Sequence, residues 1–98
     1  MIDFDKIVGF EWDNGNSRKS VDKHDVRQAE AESIFFNNPM IGIDSRHSGA
    51  EQRFNALGTT SRGRALHVTF TLRRDGTLIR VISARDMNRK ERQAHEQA

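Results

Sequence analysis

Two arginines five residues apart, Arg80 and Arg85 in the stretch RVISAR, close an apolar strand-like run, and basic residues recur through Arg89 and Arg92. A guanidinium is planar, always charged and able to hold two phosphate oxygens at once, so this density of arginine suits a phosphate-bearing partner. Groups able to move a proton lie elsewhere in the chain: Glu51 two residues before Arg53, the adjacent pair Lys23 and His24, and His67. Nearby arginines lower the pKa of a lysine or histidine by like-charge repulsion, which makes either a usable base. The charge is also unevenly spread. Residues 1–61 hold seven Lys/Arg against ten Asp/Glu, whereas residues 62–98 hold nine against four. A basic C-terminal third is the footprint of a polyanion partner. The plainer alternatives are a solvated basic surface and an Arg80–Glu51 pair across a sheet.

The composition removes several classes of function. There is no cysteine, which rules out disulfides, thiolate metal sites and a thiol nucleophile. His24, His47, His67 and His95 are scattered without a ligand spacing, so no metal or other cofactor is expected. No glycine-rich nucleotide-binding loop is present. No apolar stretch approaches the roughly 20 residues of a membrane span, and the N-terminal residues MIDFDKIVGFEWD carry acids where a signal peptide carries bases. The expected location is the cytoplasm, with no membrane contact. A length of 98 residues predicts one domain, 1–98.

The elements that must position these residues follow from pattern. IVGFEW, from Ile7, predicts a short strand. Asp13 is a plausible N-cap for a helix over 14–24, although Gly15, Asn16 and Ser17 disfavour it. A second helix is predicted over 26–36 and stops at Asn37-Asn38-Pro39. MIGID and EQRFNAL predict two strands. RALHVTFTLRRDGTLIRVISAR reads as two strands joined at Asp75-Gly76, and a final helix is predicted from Asp86 onward. The order β-α-α-β-β-β-β-α predicts an α+β fold, with an antiparallel sheet and helices packed mainly on one face.

Alternation across the hairpin puts Leu66, Val68, Phe70, Leu72, Ile79 and Val81 on the core face. The other face carries His67, Thr69, Thr71 and Arg73 with Leu78, Arg80 and Ile82, and Glu51 and Arg53 join it if Phe54 points to the core. With an unbroken ladder, Val68 pairs with Ser83 and His67 with Ala84. At helical spacing Arg85, Arg89 and Arg92 form one stripe, and only Met87, Ala94 and Ala98 remain to anchor that helix. Trp12 is expected in the core.

Taken in order, FEWD (10–13), KH (23–24), DSRHS (44–48), EQR (51–53), LG (57–58), SRGR (61–64), RVISAR (80–85) and ER (91–92) resemble the BrnT family over nearly the whole chain. Two positions depart from the family pattern: Asp25 stands where KH is usually followed by glycine, and His95 where an aromatic residue, typically tyrosine, follows ER.

The resemblance implies a RelE-like fold and a metal-independent ribonuclease toxin of a type II toxin–antitoxin system that inhibits translation. It implies that Lys23, His24, Glu51, Arg53, Arg64, Arg80 and Arg85 are catalytic, with Arg80 and Arg85 as phosphate clamps, and that Arg73, Arg89 and Arg92 contact the RNA backbone. It further implies a BrnA-like antitoxin, a heterotetramer built on an antitoxin dimer, and DNA contact only through that antitoxin. The competing class is a non-enzymatic basic module that binds RNA, DNA or a protein partner.

Overall fold

A computed structural model describes residues 2–46 and 48–98; His47, part of the DSRHS motif, lies outside the described residues. The chain is an α+β domain: β1 (Gly9–Phe10), α1 (Lys19–His24), α2 (Gln28–Ser33), β2 (Met40–Asp44), β3 (Arg53–Thr59), β4 (Ala65–Arg73), β5 (Leu78–Asp86) and α3 (Arg89–Glu96). The five strands form one sheet in the order β1-β5-β4-β3-β2. All neighbours are antiparallel except β1, which runs parallel to β5.

The core lies on one sheet face. Phe54 and Ala56 of β3, Leu66, Val68 and Phe70 of β4, and Ile79, Val81 and Ala84 of β5 are buried there. Val26, Ala31 and Ile34 cover them. Phe70 centres an aromatic cluster, stacked on Phe54 with centroids 5.4 Å apart and edge-on to Phe35 at 5.1 Å. Gly58 is required here: a Cβ would lie 3.1 Å from Ile34 Cβ and 3.3 Å from Pro39 Cβ.

The helices are shorter than the pattern predicts, for local reasons. Residues 14–18 form turns, and α1 begins only at Lys19. Asp13 caps the turn rather than the helix, its Oδ1 accepting the Gly15 N–H at 2.8 Å. Asn16 is drawn out of helical geometry because its Nδ2 donates to Glu11 O and Val81 O, while its Oδ1 accepts the Asp13 N–H. With Ser20 Oγ, which accepts the Ala84 N–H at 2.8 Å, it closes the β5 edge that the two-residue β1 leaves bare. After α2 the chain tightens into a 3₁₀ turn, Ile34–Phe36. Trp12 packs partly buried against the core and donates its Nε1–H to Glu32.

Asp25 ends α1 in the left-handed region, at φ 53° and ψ 40°. Glycine adopts this conformation without a Cβ clash. Asp25→Gly is therefore expected to stabilise the domain by about 0.5 kcal/mol, read as a rise in Tm of about 2–4 °C. An unchanged or lower Tm would show that aspartate carries no penalty there.

The hairpin follows the expected register from its turn as far as Phe70↔Val81. The connection is a four-residue turn, 74–77, rather than a two-residue one: Arg74, Asp75 and Gly76 all take positive φ, 52°, 58° and 83°, and the Thr77 N–H donates back to the Arg73 carbonyl. The ladder then breaks between Thr69 and Phe70, and Thr69 pairs with Ser83, Val68 with Ala84 and His67 with Arg85. This corrects the unbroken register, which paired Val68 with Ser83 and His67 with Ala84. The physical reason is packing: a bulge at Ile82-Ser83 carries the extra residue, so small, apolar Ala84 enters the core instead of Ser83.

Candidate functional site

The bulge decides what the open sheet face contains. In a regular strand, residues five apart point to opposite faces, which would send Arg85 toward the core when Arg80 faces out. The extra residue rephases the strand, and Arg85 comes to lie beside His67 on the same face as Arg80. Arg85 therefore belongs to β5, not to a helical stripe with Arg89 and Arg92 as the spacing predicted. Of the three arginines, only Arg89 and Arg92 lie on α3, where both are exposed.

Two adjoining depressions occupy this face, and both are lined by Lys19, Arg53 and Ile82. The first adds Glu51, Thr71, Arg73 and Arg80. The second adds Asn55, His67, Thr69, Ser83 and Arg85. Of the predicted residues, Glu51, Arg53, Arg73, Arg80 and Arg85 are thus brought together. Lys23, His24 and Arg64 line neither depression.

Arg80 does not pair with Glu51. Its Nη1 donates to Glu11 Oε1 and Asp13 Oδ2, both at 2.9 Å, and its Nη2 to Asp13 Oδ1 at 3.0 Å. Gly15 makes room for this fork, since a Cβ there would meet Arg80 Nη2 at 3.0 Å. The Arg80 hydrogen bonds, helped by the Gly15 N–H, hold the Asp13 carboxyl below its usual pKa. Glu51 instead lies 2.9 Å from Arg73 Nε. Arg85 is forked by Glu91 of α3, Nη1 to Oε1 at 2.7 Å and Nη2 to Oε2 at 2.9 Å. Those bonds keep Glu91 ionised well into acid, against the opposing effect of its own burial. Lys19, Arg46 and Arg53 have no ion-pair partner among the described residues.

His67 sits within this cationic surface with its side chain only 13% exposed. Burial and then the Arg85 charge push its pKa down, so the ring is neutral at neutral pH. Glu91 Oε2 lies 3.8 Å from its Nε2. A largely buried, neutral imidazole between arginines can accept a proton from a bound group while the guanidinium N–H groups hold an anion.

Arg64 has a different setting. Nε and Nη2 fork Asp86 at 2.7 and 3.2 Å, Nη1 reaches Asp25 O and Glu30, and Nη2 also reaches His24 O. It ties α1, α2 and β5 together and has no N–H left over.

Residues 12–91 match the model of a protein family described as ribonuclease toxin, BrnT, of type II toxin–antitoxin system. The chain belongs to the BrnT family. No curated protein matches it at a significant level. Membership in a family of type II toxins implies an antitoxin as the partner class. The matched BrnT span runs from Trp12 to Glu91 and so contains Asp13, both depressions and the Arg85–Glu91 fork. Lys19 was not singled out by the pattern, and Glu11 and Glu91 entered only within the FEWD and ER motifs, without a role of their own. Lys19 stands one helical turn before Lys23, and Asn88-x-x-Glu91 is a capping box, so both signals were present in the sequence.

Proposed function

We propose that this BrnT chain is a metal-independent endoribonuclease that arrests translation by cutting RNA on its open sheet face. The ribose 2′-OH attacks the adjacent phosphorus, the P–O5′ bond breaks, the departing 5′ oxygen takes a proton from water, and the products are a 2′,3′-cyclic phosphate and a free 5′-OH. Arg53, Arg80 and Arg85 hold the phosphate oxygens, His67 takes the 2′-OH proton, and Lys19 adds a cation with no ion pair to break first. Arg73, Arg89 and Arg92 extend the contact along the RNA backbone. Lys23, His24 and Glu51 stand outside the reacting centre in this reading, and Arg64 holds the fold. The observation that carries the proposal is the bulge, which sets Arg85 and neutral His67 on one open face with Arg53 and Arg80. The antitoxin is proposed to be BrnA-like, to form a heterotetramer with the toxin and to repress the operon of the pair.

Incubating the purified chain with RNA in excess chelator is the test. Fragments with 5′-OH and cyclic-phosphate ends are expected; intact RNA, or cleavage only after a divalent cation is added, would defeat the reading. A general base must be unprotonated, and burial with the Arg85 charge pushes the His67 pKa below that of a free imidazole. The cleavage rate should therefore rise with pH on the acid side and be flat near neutrality. His67→Asn is expected to slow cleavage by about 10²-fold or more and to remove that acid limb. An unaltered limb would assign it to another group.

A further inference from the structure

The two arginines of the open face are bonded in the same way. Each presents the end of its guanidinium to a carboxylate: Arg80 to Asp13 and Arg85 to Glu91. In each, Nη1 uses its second hydrogen on another acceptor, Glu11 Oε1 for Arg80 and the Asp86 carbonyl for Arg85. A guanidinium has five N–H groups. Each arginine therefore keeps its Nε–H and one Nη2–H without an acceptor among the described residues. Those two N–H groups are parallel and form the side-on edge that grips two oxygens of a phosphate. Arg64 supplies the contrast, since all five of its donors are engaged.

We propose that Asp13 and Glu91 are positioning residues, which lock Arg80 and Arg85 so that each offers its Nε/Nη2 edge to one phosphodiester of a bound RNA. The carboxylates orient the clamps and do not occupy them. Glu91 is well placed for this, because its Oε1 also accepts the Asn88 N–H at 2.9 Å and closes the cap of α3. No residue of α3 is buried, so the fork to Arg85 is a main tie between that helix and the sheet. Asp13 is fixed independently by the turn it caps, through Gly15.

The inference rests on the open face being the RNA site, and the experiment separates the two. The probe is a 2′-O-methyl oligoribonucleotide, which lacks the attacking hydroxyl and is not cut. Its titration into the wild-type chain, followed by the arginine Nε–H resonances in NMR, is expected to move both Arg80 and Arg85. Glu91→Gln should suppress the Arg85 shift and leave that of Arg80; Asp13→Asn should do the reverse. The second variant does not touch α3, so it decides the matter even if Glu91→Gln loosens that helix. Each variant removes a negative charge beside the groove, so the oligonucleotide is not expected to bind more weakly. Cleavage should nevertheless slow by about 10²-fold, the effect of a misplaced clamp. Unmoved Nε–H resonances in the wild type would overturn the proposal. So would carboxamide variants that cleave as fast as wild type or faster, which would make the carboxylates neutral supports or masks. Shifted resonances without any RNA cleavage would defeat the ribonuclease reading and leave the positioning role standing.

Discussion

Arg85→Ala is expected to lower the rate of RNA cleavage by about 10²–10³-fold, the usual loss when one preorganised donor to a developing oxyanion is removed. Expressed alone in bacteria, the wild-type chain should stop growth and fragment RNA, and the variant should do neither. The effect is large because Arg85 serves twice. In the proposed site it offers charge to the phosphate, and its charge adds to burial in pushing the neighbouring His67 toward the neutral form. RNA affinity should change far less, because Lys19, Arg46 and Arg53 have no ion-pair partner among the described residues and a lost phosphate contact lowers the salt slope of binding by only about one. A basic module without catalysis predicts the opposite split: weaker binding, and no cleavage in either protein. The substitution leaves Glu91 without its partner, so the variant's Tm must be measured beside its rate. Full cleavage by a folded Arg85→Ala protein would remove Arg85 from the reacting centre.

Much of this site could be read from the residues, and the part that could not has a definite physical cause. The hairpin was legible because two physical signals agree: Asp75-Gly76 supplies the positive φ angles, and Leu66, Val68, Phe70 and Leu72 alternate. Strict alternation then continues one residue too far. The buried positions of β5 step from Ile79 and Val81 to Ala84, a change of phase that marks the bulge. Reading that step would have placed Arg85 on the open face rather than on a helix. The short helices were less legible because their limits are set by tertiary bonds. Nothing local to Asn16 says that its side chain will replace a missing strand along β5. Carboxylate partners are equally invisible to spacing. Glu11 and Asp13 meet Arg80 across 69 and 67 residues of chain, because β1 runs beside β5.

The same bookkeeping of N–H groups separates structural from functional arginine, and Arg64 gives the sharpest test. Arg64→Met is expected to destabilise the domain by about 2 kcal/mol, less than the loss of a fully buried ion pair because its side chain is 28% exposed. In a domain of this size that is a fall in Tm of about 8–16 °C. The loss arises from what the methionine leaves behind: carbonyls of His24 and Asp25 at the end of α1, and the carboxylates of Glu30 and Asp86, all without the donor they shared. Arg64→Lys should recover little, because one ammonium cannot span Asp86 on one side and two carbonyls on the other. Below its melting transition, the methionine variant should still cut RNA at the wild-type rate. A folded Arg64→Met protein without activity would put Arg64 in the reacting centre, and the count of free donors would then fail as a guide to which arginines meet RNA.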